Sequence, residues 1–199
     1  MILSYRYTCP LALCIGLAGT SLAQSASPSV EDYAEAVIAY AQADLQDWIA
    51  DPFVLYAVEE QNERHAGLDA TAIERLDRSW MAEDGYGPMI FDLLDRQASI
   101  LMRERREAAG GIITEIILMD RYGLNAGISD PTSDFYQGDE AKYQETFLIS
   151  PDAIYVSEVE FDDSTGVDQT QVSLAVTSPE TGEPIGAVTF GIDLSRLTR

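Results

Sequence analysis

The hydrophobic period of this chain changes once, at Gly110-Gly111, and that change limits the folds open to it. Before the glycine pair, apolar residues recur at helical steps; after it they alternate or run together as in strands. Ala34, Ile38, Ala41, Leu45 and Trp48 form one stripe at steps of four and three. Pro52 interrupts that helix, yet Asp51 can cap a new one with Pro52 in its first position. The restarted helix runs through Phe53, Tyr56 and Ala57 and stops at Gly67. A second helix is expected over residues 70–81, with Ile73, Leu76 and Trp80 on one side, and a third over 89–108. Beyond the glycines, strands are expected at 112–119, 124–129, 153–161, 171–177 and 185–194, with a short helix near 139–147. Helices first and an antiparallel meander afterwards define an α+β domain, a long N-terminal helix packed on a five-stranded sheet.

The strand alternation carries a second inference. In the last strand Val188, Phe190, Ile192 and Leu194 share one face, and Ala187, Thr189, Gly191 and Asp193 share the other. The preceding strand divides the same way, Val172, Leu174 and Val176 against Ser173 and Ala175, and Tyr155 and Ser157 join the small layer. The bulky face is expected to pack on helices. The small-residue face either leaves room for a ligand or faces water, as one side of an antiparallel sheet often does.

Charge removes several function classes. Asp and Glu number 34 against 12 Lys and Arg, for a net charge of −22. Phosphate binding needs clustered cations, so nucleic acid and anionic membrane surfaces are excluded as partners. At the N-terminus, Arg6, a short apolar run over 7–18 and Ser21-Leu22-Ala23 read as a signal peptide, residues 1–23, cleaved after Ala23. A polar lead, 24–30, follows and is expected to be disordered, with the folded domain at 31–199. Cys9 and Cys14 leave with the signal peptide, so the exported chain has no thiol chemistry. The chain is expected in the periplasm.

The residues offer little to catalysis. His65 is the single histidine, no Gly-x-Ser-x-Gly elbow accompanies it, and N/S-ligated metals lack donors. No phosphate-loop or dinucleotide fingerprint is present. No enzyme activity, cofactor or metal is therefore expected. The acidic turn at 162–168 serves as a hairpin or as a Ca²⁺ loop, though it lacks EF-hand spacing. Trp48 and Trp80 lie on helical stripes and are assigned to the core.

Taken in order, the interrupted N-terminal helix, the run Gly111-Ile112-Ile113-Thr114-Glu115-Ile116-Ile117-Leu118-Met119-Asp120, the segment Thr132-Ser133-Asp134-Phe135-Tyr136-Gln137-Gly138-Asp139-Glu140 and the closing Gly186-Ala187-Val188-Thr189-Phe190-Gly191-Ile192-Asp193 resemble the Cache family. These are the PAS-like extracytoplasmic sensor domains of bacterial chemoreceptors and sensor kinases. The resemblance covers about residues 31–197. It implies a single domain with a small-molecule pocket on one sheet face, walled by the segment between the second and third strands. On this sequence it points to Tyr136, Asp139, Lys142, Tyr143 and Tyr155, with Asp193 at the end of the last strand, as ligand-binding residues. Asp139 serves equally as a helix cap. The amino-acid-binding branch carries an Arg and a Trp in the wall segment. Between Ser129 and Phe147 this chain has neither, and Lys142 is its only base.

The expected function is a non-catalytic, exported sensor domain that binds a small molecule and signals through a separate membrane-bound kinase, chemoreceptor or transporter. The sequence ends five residues after Leu194, with no membrane helix following, which is why a separate partner is expected. The alternative is a ligand-free interaction module that docks, or dimerises, through its N-terminal helix.

Overall fold

The structure, a computed structural model, describes residues 30–162 and 166–197. The expected signal peptide, the lead at 24–29 and the centre of the 162–168 turn lie outside the described residues.

The described residues open with helix α1 (Val30–Tyr40), a π-helical turn (Ala41–Leu45) and α2 (Gln46–Ile49). The buried line is Val37, Ala41, Leu45 and Ile49, at uniform steps of four. An α-helix of 3.6 residues per turn lets such a line drift around its axis. The wider π turn restores it, because each of its turns takes up about one residue more. This corrects the expected stripe: Ile38 and Trp48 flank the line, while Val37 and Ile49 lie on it. Trp48 stands edge-on to Phe190 at 5.6 Å, with the Arg105 guanidinium 5.9 Å over its ring.

Asp51 starts α3 (Pro52–Arg64), its Oδ1 accepting the Phe53 N–H at 2.8 Å. Asp69 caps α4 (Ala70–Met81) through the Ala72 N–H in the same way. The third expected helix is two, α5 (Pro88–Leu94) and α6 (Gln97–Ala108). Arg96 between them is extended, at φ −69° and ψ 150°. No proline or glycine marks this break. It is held by tertiary ties, Arg96 Nη1 to Gln61 Oε1 at 2.8 Å and Arg103 Nη1 to the Leu94 carbonyl at 3.0 Å.

The sheet contains β1 (Ile113–Asp120), β2 (Asn125–Ile128), β3 (Ile154–Val156), β4 (Glu160–Asp162), β5 (Val167–Thr177) and β6 (Pro184–Asp193), all antiparallel. Its order is β2-β1-β6-β5-β3, with β4 also on β5. The sheet thus has six strands in five positions, where five strands were expected. The single strand expected at 153–161 is broken at Ser157. Its hydroxyl accepts the Gln171 N–H at 2.9 Å while its carbonyl accepts Thr170 Oγ1 at 2.7 Å, so side chains replace the regular ladder there. Two short helices complete the fold, α7 (Ala141–Gln144) and α8 (Leu194–Leu197).

Both sheet faces are covered. On the bulky face Ile116, Leu118, Val172, Leu174, Val188 and Phe190 pack under α1, α3 and α6. On the other, Ile117, Met119 and Ala187 meet Trp80, Ile90, Leu93, Phe135 and Tyr143. The small-residue face is therefore not a water-facing side. Gly186 is required by this closeness: a Cβ there would stand 2.2 Å from the Met119 carbonyl oxygen and 2.8 Å from Val58 of α3.

Candidate functional site

Directly opposed residues on antiparallel strands share a face, so the register builds the small-residue surface row by row. Tyr155 opposes Ser173, Ser173 opposes Thr189, and Thr189 opposes Ile117. In the next row Gln171 opposes Gly191, which opposes Glu115. Ser173 and Thr189 are fully buried and satisfy each other, hydroxyl to hydroxyl, at 2.9 Å. Gln171 Nε2 donates to Glu115 Oε1 at 2.8 Å, and Thr114 Oγ1 donates to Gln169 Oε1 at 2.6 Å. The outcome is a layer of polar side chains with fixed orientations, short at Ser173 and Thr189 and long at Glu115, Gln169 and Gln171.

Helix α7 stands over the β3–β5 end of this layer. Between them lies a cleft of about 270 Å³. Its sheet side is Tyr155, Ser157, Gln169 and Gln171; its helix side is Glu140, Ala141 and Lys142; Glu158 and Glu160 close the strand break. Lys142 is the one ammonium in this lining. Its side chain is only 11% exposed, and Nζ contacts Glu140 Oε2 at 3.0 Å and Gln137 Oε1 at 3.2 Å. An ammonium on a four-carbon stem ordinarily reaches water, so its retention here under α7 sets it apart. Against it stand three glutamates, and the cleft is weighted toward negative charge.

Of the residues singled out in the sequence, the fold brings Lys142 and Tyr155 together in this cleft and places the others elsewhere. Tyr143 is buried, stacks on Phe147 with centroids 5.0 Å apart, and donates its hydroxyl to the Arg121 carbonyl at 2.5 Å. Burial first, then the negative charge of Asp120, raises its pKa above the ordinary tyrosine value. Tyr136 lays its ring where a side chain on Gly138 would otherwise stand, and burial, with Asp139 adding to it, raises its pKa too. Asp139 is exposed and does not cap α7, whose N-cap is Glu140. Asp193 is buried on β6 directly opposite the cleft's Gln169, but its carboxylate is taken by the Ser195 N–H at 2.9 Å and by Arg196 at 3.2 Å. It borders a shallower hollow with Gly110, Gly111 and Arg196.

Gln169, Gln171 and the three glutamates of the cleft were not singled out. The signal for the glutamines is alternation with Ser173, which extends upstream only because β5 begins at Val167 and not at Gln171. Among the described residues no group of three or more His, Cys, Asp or Glu is placed to hold a metal ion, and no helix is long and apolar enough to cross a membrane.

No family model and no curated protein matches the chain. Among solved structures it is similar to the sensor domain of the histidine kinase DctB of V. cholerae, at 14% identity over 72% of this chain and 57% of that one, with a TM-score of 0.37. It is similar to the ligand-binding domain of the Campylobacter jejuni chemoreceptor Tlp3 in complex with 4-methylisoleucine, at 17% identity over 83% and 62%, TM-score 0.38. It is also similar to the ligand-binding domain of the Pseudomonas aeruginosa PAO1 amino acid chemoreceptor PctC in complex with GABA, at 18% identity over 85% and 64%, TM-score 0.35. The chain spans less than two thirds of the length of each of these three. These three are the sensor domain of a histidine kinase and the ligand-binding domains of two chemoreceptors.

Proposed function

We propose that the chain is an exported sensor domain that binds a polar small molecule in the cleft under α7, performs no chemistry on it, and passes the signal to a separate membrane-bound receptor. The observation that carries this reading is Lys142, its side chain largely buried in the lining of a cleft over a polar sheet face. The cleft can fix a ligand by hydrogen bonds from the Gln169 and Gln171 amides and the Tyr155 hydroxyl; the Ser157 hydroxyl is already engaged by the Glu158 carbonyl and the Gln171 N–H. Its three glutamates favour a ligand that carries a positive charge, while Lys142 can orient an anionic or carbonyl oxygen. The Cache resemblance supports the same placement of a pocket.

Melting of the purified chain in the presence of amino acids, amines, carboxylates and purines tests this. A ligand that binds only the folded state raises the melting temperature by mass action, about 2.7 kcal/mol at one hundred times its Kd. A ligand whose shift disappears in Lys142→Met supports the reading. No shift across the panel, or a shift unaffected by changes at both Lys142 and Tyr155, overturns it.

A further inference from the structure

A second cavity is larger than the cleft under α7. It is a groove of about 650 Å³ at the opposite end of the sheet, between α3 and the α5–α6 junction, with Ala126 of β2 at its base. Cavities that hold small ligands run from roughly 300 to 1,000 Å³, mostly apolar with a few convergent polar groups. Phe53, Tyr56, Ala57, Glu60 and Arg64 follow one another at steps of three, one, three and four, so one face of α3 forms this wall. Phe53 and Tyr56 on it are 65% and 63% exposed. Three alanines, Ala57, Ala98 and Ala126, leave the middle of the groove free of bulky side chains.

The polar group that fixes an orientation is Arg96. Its side chain is 27% exposed. Nη1 is anchored on Gln61 Oε1 at 2.8 Å, and Gln61, itself buried, is anchored on the Asn125 carbonyl at 3.0 Å. The guanidinium thus stands on a fixed base. Its anionic partner does not: Asp92, 2.7 Å away, has a side chain 67% exposed. A pair open to water on one side contributes little to stability, so exchanging Asp92 for another carboxylate costs little. The planar guanidinium accepts such an exchange with matched geometry. The chain's charge of −22 opposes anions at long range, but screening within about 8 Å at physiological salt confines the local balance to the groove's own groups. Those groups are two of each sign, Arg64 paired with Glu60 and Arg96 with Asp92, so a ligand with one negative charge and an apolar body can take the place of one acid, while a multiply charged anion finds no further unpaired cation.

We propose that this groove is a second binding site, for a small aromatic or aliphatic monocarboxylate. Its carboxylate replaces Asp92 on Arg96, and its apolar body lies along Ala57, Ala98 and Ala126 beside Phe53 and Tyr56. The site stands independently of the cleft under α7.

Calorimetric titration of the purified chain with indole-3-acetate, benzoate and octanoate, and with indole-3-acetamide as the uncharged match, tests the proposal. At least one acid is expected to bind with one-to-one stoichiometry, indole-3-acetate at least ten-fold more tightly than its amide if it is the binder. Arg96→Gln is expected to weaken binding ten-fold or more, and Ala57→Phe to abolish it by filling the bed. Asp92→Asn is expected to tighten it three-fold or more by removing the competing carboxylate, a gain that a damaged fold cannot mimic. Lys142→Met leaves it unchanged. The proposal is overturned if no acid binds the folded chain, if indole-3-acetate binds and its amide binds as tightly, or if affinity survives both Arg96→Gln and Ala57→Phe. Sedimentation showing a dimer that Phe53→Ala and Tyr56→Ala dissolve would assign the groove to a second copy and equally overturn it.

Discussion

His65 Nδ1 lies 2.6 Å from Asp120 Oδ2, and this contact fastens the C-terminal end of α3 to the turn between β1 and β2. Asp120 is fully buried, and its other oxygen accepts the Tyr122 and Leu124 N–H groups at 2.8 and 3.0 Å. One carboxylate therefore satisfies the turn and the histidine together. Breaking a buried pair by removing the carboxylate strands several donors at once, and Asp120→Ala is expected to destabilise by about 3–5 kcal/mol. His65→Ala leaves both turn bonds in place and is expected to destabilise by about 1–3 kcal/mol. Urea unfolding of the two variants checks the order; equal losses would mean that the turn bonds contribute nothing.

A second expectation concerns the buried hydroxyl pair beneath the cleft. Ser173 and Thr189 each have the other as partner, 2.9 Å apart, with no exposure to water. Thr189→Val leaves the serine hydroxyl unsatisfied and is expected to destabilise by about 1–3 kcal/mol. Adding Ser173→Ala removes the stranded group, and the double variant is expected to be more stable than Thr189→Val alone. A double-mutant cycle by urea unfolding measures this, and additive losses would count against the pair.

The elements legible in the sequence are those set by neighbours along the chain. The Ile73–Leu76–Trp80 stripe suffices for α4, and Asp51-Pro52 suffices for the start of α3. Features set by distant partners were not legible. Arg96 breaks a helix because Gln61, thirty-five residues earlier, holds its side chain. Ser157 breaks a strand because its hydroxyl takes over a ladder bond from Gln171. The two-faced sheet was legible from alternation alone, and so was the presence of Asp193 on the small-residue face. That its carboxylate is taken by Ser195 and Arg196 and does not line the cleft was not, because alternation gives a side chain's face and not the partners it finds there. Lys142 and Tyr155 were each visible as candidates, but their common cleft arises only from the way α7 crosses β3 and β5.

Tyr143 predicts an alkaline limit. Burial favours its neutral form, so its pKa in the folded chain is above the ordinary 10.0. As pH rises past about 10, the unfolded chain loses this proton while the folded chain keeps it. Stability then falls with rising pH, because the folded state is the one that binds more protons. Tyr143→Phe removes the hydroxyl bond to the Arg121 carbonyl and is expected to lower stability near neutral pH by about 0.5–1.5 kcal/mol. Above pH 10 the variant is expected to lose stability less steeply than the parent. Urea unfolding at pH 7 and at steps between 9.5 and 11 tests both parts, and parallel curves would count against the assignment.

Lys142 provides the most direct separation of binding from folding. Its ammonium contacts Glu140, whose side chain is 39% exposed, and Gln137. A pair with one partner so open to water contributes at most about 1 kcal/mol, and methionine retains most of the apolar stem. Lys142→Met is therefore expected to melt within a few degrees of the parent when no ligand is present. Its effect on a cleft ligand differs in scale. Removing a charged hydrogen-bond donor from a bound ligand loses about 1.5–3 kcal/mol, equivalent to a ten-fold to more than hundred-fold weaker Kd. Tyr155→Phe, which removes a neutral hydroxyl from the same cleft, is expected to weaken binding less, by about 0.5–1.5 kcal/mol. Titration of all three proteins with any ligand found by thermal shift checks this ranking. Parent-like affinity in Lys142→Met would show that the ammonium serves the fold of α7 and not the ligand.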